Sequence, residues 1–129
     1  MSQPISGKVQ TVLGLMSPDD LGITSMHEHL MIDFTVVFQK PDNLTEIAKS
    51  YEPVTMQNLG WIRYDPFRSF TNLSLQDEDL AVDEVKKFVA SGGTSIVETT
   101  SVGIARSPES LAMISRMSGA NIIMGSGYY

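Results

Sequence analysis

The clearest pattern of hydrophobic and polar positions lies in the second half of the chain, where it predicts a helix over residues 75–91. Apolar side chains between Ala81 and Val89 recur at helical spacing and fall on one face. Ser74 with Asp77 forms a capping-box pattern ahead of them, and acidic residues crowd the first turn, where the helix dipole favours negative charge. Two consecutive glycines then end the helix.

Two strands and a second helix follow with similar clarity. Residues 94–100, which are rich in β-branched side chains, predict a strand, and the largely apolar residues 121–124 predict another. Between them, Ser107 followed by Pro108 marks a helix start, and an apolar stripe predicts a helix over residues 108–118. The order helix, strand, helix, strand indicates parallel strands joined by helical crossovers.

The first half of the chain is less regular. A weak apolar run at residues 9–13 leads into a turn cluster, and residues 23–27 predict a short strand. Residues 33–70 carry most of the aromatic side chains together with three prolines, and they predict one short helix at residues 44–50. This stretch is too apolar for a linker, so we expect it to pack.

Alternating strands and helices begin both a doubly wound sheet and a (β/α)-barrel. We predict an α/β fold that forms the N-terminal segment of a TIM (β/α)8 barrel, as a single partial domain over residues 1–129. In a barrel the helices cover one face of the sheet, whereas a doubly wound sheet has helices on both faces. A complete barrel typically has about 250 residues, so we expect about three β/α units here.

Composition narrows the classes of function. The formal net charge is −6, which disfavours nucleic acids and anionic membranes as partners. The chain has no cysteine, so a metal would need imidazole or oxygen ligands, and a cysteine nucleophile is excluded. The sequence shows neither a signal peptide nor an apolar run of membrane-spanning length, and we therefore expect a cytoplasmic protein.

The only two histidines, His27 and His29, end the first predicted strand. Side chains two residues apart on a strand point to the same side, so both imidazoles can converge on one metal ion. The same spacing arises by chance, with one ring at the strand end and the other in solvent. The position of the two histidines at the strand end favours metal binding, because (β/α)-barrel active sites lie at the carboxyl ends of strands. Glu28, between the histidines, is expected to face the opposite side in a structural role.

Several segments resemble the phosphotriesterase family of the amidohydrolases. The most specific is the pattern Gly-x-Thr-x-x-His-Glu-His-Leu, which runs from Gly22 to Leu30. The resemblance covers nearly the whole chain and is weakest between residues 33 and 70. The other similar segments are residues 7–14, 92–100, 104–106 and 122–129.

The resemblance implies a barrel with two divalent metal ions, expected to be zinc, and a hydroxide that attacks a phosphoryl or carbonyl centre. It makes His27 and His29 metal ligands and leaves a carboxylated lysine, two histidines and an aspartate to later strands. The implied partner is a small-molecule ester such as a phosphotriester or lactone. The complete enzyme is compatible with a homodimer, and we expect this chain to be inactive alone.

Three further residues are site candidates. The resemblance matches Tyr129 to an aromatic residue that faces substrate, with packing after the strand as the alternative. Glu98 ends the second predicted strand, where the family often has an acid. A buried carboxylate needs a partner, so we expect Glu98 to hold neighbouring loops or a ligand histidine by a hydrogen bond. Arg106 is the candidate ion-pair partner, with a solvated position as the alternative.

Two rival functions stay open. Another amidohydrolase, such as a cyclic amidase or deaminase, shares the His-x-His pair and differs in later strands. A non-catalytic α/β fragment would bind nothing specific. The number of metal ligands separates a catalyst from such a fragment, because a catalytic zinc ion takes about three protein ligands and a water molecule.

Overall fold

The computed structural model describes residues 5–128, which form two compact units. One unit contains residues up to 31 and from 77 onward, and the other is Ile32–Gln76. The single domain over residues 1–129 stays a prediction. No helix within the described residues is long and apolar enough to cross a membrane. The elements are β1 (Val9–Thr11), β2 (Gly14–Met16), β3 (Thr24–Glu28), β4 (Ile32–Asp33), α1 (Leu44–Ser50), α2 (Leu59–Tyr64), β5 (Ser74–Leu75), α3 (Glu78–Ala90), β6 (Ser95–Glu98), α4 (Pro108–Ser118) and β7 (Asn121–Met124).

The first unit is built on a three-stranded sheet in the order β3, β6, β7. Both pairs of neighbouring strands are parallel, as the alternation of strands and helices predicted. In the same unit, β1 and β2 form an antiparallel hairpin. The amide of Val12 in that hairpin donates to the carbonyl of Ile122 in β7 at 2.9 Å. The apolar run at residues 9–13 anticipated the first strand of the hairpin and not the second.

Both long helices cover the same face of this sheet. Ile96 of β6 and Ile122 of β7 are buried in one apolar cluster with Val85 of α3 and Ile114 of α4. Because α3 and α4 also pack on each other, they lie side by side and not on opposite faces. Val97, on the other face of β6, is half-buried. The one-sided covering confirms the predicted barrel segment and excludes a doubly wound sheet.

The start of α3 differs from the prediction, whereas the start of α4 agrees with it. The carboxylate of Asp77 accepts a hydrogen bond from the amide of Leu80 at 3.0 Å, so α3 begins directly after Asp77. The predicted cap at Ser74 is wrong, because Ser74 pairs with Asp33 in the β4–β5 ladder. At α4, Ser107 is the cap that the sequence predicted, and its hydroxyl accepts from an amide of the first turn.

The second unit, Ile32–Gln76, is held by the β4–β5 ladder and by aromatic packing. The rings of Phe38, Tyr51 and Phe70 lie 5.3–5.8 Å apart, centroid to centroid. The α1 helix has the predicted bounds, and α2 was not predicted. The unit also buries Ile62 of α2. Three aromatic residues of this stretch therefore pack with one another, as its apolar composition led us to expect, whereas Tyr64 is exposed.

Candidate metal centre

The two imidazoles lie at the carboxyl end of β3, at the edge where the parallel strands of the sheet end. The ring centroids of His27 and His29 are 5.5 Å apart, and the rings are inclined by 73°. Two imidazoles that bind one tetrahedral ion at about 2.0–2.1 Å have centroids roughly 5 Å apart. The observed spacing therefore fits a shared ion. His27 is exposed and His29 is half-buried, and metal binding itself stays a prediction.

A register irregularity in β3 sets the direction of the side chains around the pair. Ser25 pairs with Ile96 and Glu28 pairs with Glu98, so the ladder shifts between them. The hydroxyl of Ser25 donates to the carboxylate of Glu28 at 2.5 Å. Both side chains line a cleft of about 210 Å³ beside α3. Glu28 therefore faces the helix layer, and the imidazoles on either side of it face the other way.

The glycine of the Gly-x-Thr-x-x-His pattern has a conformational reason. Gly22 has φ +59°, a conformation that favours glycine. A Cβ atom there would lie 2.6 Å from the hydroxyl oxygen of Thr94. The threonine of the pattern, Thr24, donates its hydroxyl to the Gly22 carbonyl at 3.1 Å. The pattern thus fixes the backbone where β3 enters the sheet.

Gly22→Ala is expected to lower the free energy of unfolding by about 2–4 kcal/mol, because left-handed backbone strain and overlap with Thr94 act together. Gly7→Ala is the matched control, because Gly7 has φ +72° with no atom within 4 Å of a Cβ. This variant is expected to lose about 1 kcal/mol of unfolding free energy. Urea unfolding of both variants measures the difference. Equal losses would show that the contact with Thr94 is unimportant.

Glu98 is fully buried at the end of β6 and accepts hydrogen bonds at both carboxylate oxygens. Oε1 accepts from the amide of Leu30 at 3.3 Å and from the hydroxyl of Thr100. Oε2 accepts from the amide of Thr100 at 3.2 Å. The same Thr100 hydroxyl lies 2.9 Å from Nδ1 of His29. Glu98 thus holds the residue after His29 and the hydroxyl that contacts the His29 ring.

Arg106 matches neither predicted alternative, the ion pair with Glu98 or a solvated side chain. Its guanidinium Nη1 donates to the carbonyl of Gly125 at 2.8 Å, and the side chain is half-buried. It forms no ion pair with Glu98, whose donors come from Leu30 and Thr100. Arg106 instead ties the loop after β6 to the end of β7.

Sequence reasoning missed the two threonines that follow Glu98. Thr99 donates its hydroxyl to the Glu28 carbonyl at 3.2 Å and lies 3.4 Å from Nε2 of His29. The available signal was local, because a buried carboxylate needs donors and the nearest hydroxyls in sequence follow it directly. Tyr129 lies outside the described residues. Within residues 5–128, no group of three or more His, Cys, Asp or Glu side chains could hold a metal ion.

The fold and the site define a segment of a (β/α)-barrel with a His-x-His pair at the carboxyl end of its first parallel strand. Comparison with known proteins narrows this class. The sequence profile of the phosphotriesterase family matches residues 7–129, and the chain therefore belongs to that family.

The relatives are considerably longer than this chain. A phosphotriesterase-related protein of Nematostella vectensis is 43% identical, over 96% of this chain and 36% of that protein. The N-acetyltaurine hydrolase of Homo sapiens is 42% identical, over 97% of this chain and 36% of that protein. The chain thus spans about 36% of the length of the curated relatives that it matches.

Solved structures show the same relationship. A resiniferatoxin-binding protein from Rhodobacter sphaeroides is 41% identical with a TM-score of 0.91, over 96% of this chain and 35% of that one. A lactonase from Listeria monocytogenes is 22% identical with a TM-score of 0.62, over 93% of this chain and 28% of that one. The second match shows the shared fold, and both agree with a partial barrel.

Proposed function

We propose that this chain supplies the first-strand ligands of a divalent metal centre, His27 and His29, in a metal-dependent hydrolase. The observation that carries the proposal is the 5.5 Å spacing of the two imidazoles at the strand edge where (β/α)-barrel sites lie. A zinc ion there would lower the pKa of a bound water towards about 7 and polarise the substrate. The residues of this chain would hold the ion and orient its ligands.

The remaining ligands are proposed to come from outside residues 5–128. A catalytic zinc ion takes about three protein ligands, and the described residues bring no such group together. Two ions in the complete centre are part of the same proposal. So are a cytoplasmic location, a homodimer, and the absence of nucleic-acid and membrane partners.

The substrate is proposed to be a small molecule with a hydrolysable carbonyl or phosphoryl bond, a phosphotriester, lactone or related ester. An amide is the second candidate. Several relatives at 41–43% identity are named N-acetyltaurine hydrolase, and that name describes cleavage of an amide. The hydroxide chemistry that opens an ester also suits an amide, so one site serves either candidate.

The test is an assay of a protein of the relatives' full length that carries this chain. N-Acetyltaurine, a lactone and a paraoxon-type triester are compared by kcat/KM, with and without a chelator. We expect turnover of at least one substrate, its loss on chelation, and its recovery with zinc. Turnover that is indifferent to chelation would refute the metal-dependent hydrolase. The substrate with the largest kcat/KM decides between ester and amide.

The purified 129-residue chain is proposed to be inactive in the same assay. Two imidazoles hold an ion weakly, and an ion with too few ligands activates water poorly. Background rates with all three substrates are expected. Metal-dependent turnover that disappears in His27→Ala would contradict this, and would mean that copies of the chain complete the site for one another.

A further inference from the structure

The buried carboxylate of Glu98 fixes which way the Thr100 hydroxyl donates. Glu98 is 0% exposed, and its described partners are two amides and one hydroxyl, all of which can donate to it. A hydroxyl has a single proton to donate and two lone pairs that accept. Since the Thr100 hydroxyl donates its one hydrogen bond to the carboxylate, its oxygen can only accept a hydrogen bond from its other neighbour.

That other neighbour is the imidazole of His29, with Nδ1 at 2.9 Å from the Thr100 hydroxyl oxygen. An accepting oxygen requires the proton on Nδ1. A neutral imidazole with its proton on Nδ1 carries its lone pair on Nε2. The lone pair of a neutral ring nitrogen is what a zinc-like ion binds.

We propose that Thr100 and Glu98 are positioning residues for His29, which set its tautomer and ring orientation so that Nε2 is the metal-binding nitrogen. This rests on the proposed function, because it assigns a role relative to the metal. Ligand histidines generally donate their second N–H to an oxygen behind the ring, and that contact orients the ring and raises its basicity. Here the oxygen is a threonine hydroxyl backed by a buried carboxylate.

The neighbouring Thr99 provides a matched control on the same strand end. Its hydroxyl donates to the Glu28 carbonyl at 3.2 Å and lies 3.4 Å from Nε2 of His29. With its proton directed to a backbone carbonyl, the Thr99 oxygen could only accept from Nε2, and at 3.4 Å it competes more weakly for the ring proton than the Thr100 oxygen does at 2.9 Å. Thr99→Val and Thr100→Val therefore make the same chemical change one residue apart, with different expected consequences for His29.

The tautomer is measured directly on metal-free protein by long-range proton–nitrogen NMR of [15N]histidine. The sequence has only two histidines, so a spectrum of His27→Gln assigns both rings. In mildly alkaline buffer we expect His29 to show a single Nδ1–H tautomer in the unmodified protein, in Thr99→Val and in Thr100→Ser. Thr100→Val is expected to convert it to the Nε2–H tautomer or to a mixture.

Zinc titration gives a second readout. In the unmodified protein the Nε2 resonance of His29 should move on binding while Nδ1 stays protonated. Thr100→Val is expected to weaken zinc binding by about 10–100-fold, and Thr99→Val and Thr100→Ser to leave it nearly unchanged.

The outcomes separate this inference from the proposed function. An Nε2–H tautomer of His29 in the unmodified protein would overturn the inference, whatever the zinc titration shows. An unchanged tautomer in folded Thr100→Val would overturn it as well. Should that variant unfold, the unmodified protein and Thr100→Ser decide the question. An Nδ1–H tautomer of His29, together with turnover that is indifferent to chelation in a protein of the relatives' length, would support the roles of Thr100 and Glu98 in positioning His29 and would overturn the proposed function.

Discussion

Replacement of His29 by alanine is expected to remove the bound metal and to lower kcat/KM by about 100-fold or more, in a protein of the relatives' length that carries this chain. His27→Ala should behave in the same way, because an ion that loses one of its few ligands is released or poorly held. The measurements are metal content after dialysis and initial rates on the best substrate of the panel.

Glu28→Ala is the matched control for both histidine variants. Glu28 lies between the two imidazoles in sequence, yet it is exposed and lines the cleft beside α3. Its loss should leave metal content and activity close to those of the unmodified protein. Normal metal content in either histidine variant would show that the ligands are misassigned. A large loss of metal or activity in Glu28→Ala would show that the side-chain directions along β3 are misassigned.

Ile122→Ala is expected to lower the free energy of unfolding by about 3–5 kcal/mol, within the range for truncation of a buried isoleucine. Ile122 is 0% exposed in the apolar cluster between the sheet and its two helices. Alanine there removes buried surface and leaves a cavity that tightly packed neighbours fill only in part. Urea unfolding of the purified chain measures the change.

The adjacent residue of β7 supplies the comparison. Ile123 is half-buried and points to the opposite face of the sheet. Ile123→Ala removes the same atoms from a site that is partly open to solvent, so it should lower the free energy of unfolding clearly less than Ile122→Ala does. If both variants lost the same free energy, the helix layer would not be the main core of this unit.

Local patterns were sufficient for most of the parallel unit and insufficient where distant residues intervene. Helical spacing predicted α4 with its Ser107 cap, and β-branched composition predicted β6. The cap of α3 was misplaced at Ser74 because that residue pairs with Asp33, a contact between segments far apart in sequence. The α2 helix was missed for a related reason, since the unit that contains it packs through aromatic rings and shows no regular apolar stripe.

At the candidate site, too, local sequence predicted some features and contacts between distant residues decided others. The spacing of His27 and His29 predicted the proximity of their rings, because that depends on strand geometry alone. The hydroxyl partner of Glu98 had a local sequence signal, but its backbone partners could not be chosen from sequence. Arg106 carries the obvious opposite charge, but it reaches the Gly125 carbonyl, and the donors to Glu98 are amides and a hydroxyl. Hydrogen-bond donors of the backbone have no sequence signal, so only the folded chain reveals them.

The register shift in β3 has a consequence for the whole centre. Ser25 and Glu28 are three residues apart and both line the cleft beside α3. In a regular strand, residues an odd number of steps apart project to opposite faces. With Ser25 on the helix side, unbroken alternation would direct His27 and His29 towards the helices as well. A single supernumerary residue reverses that parity. The orientation of the imidazoles therefore depends on one extra residue in β3 relative to β6. Without that residue, the two rings would lie on the helix-covered face and away from the candidate metal centre.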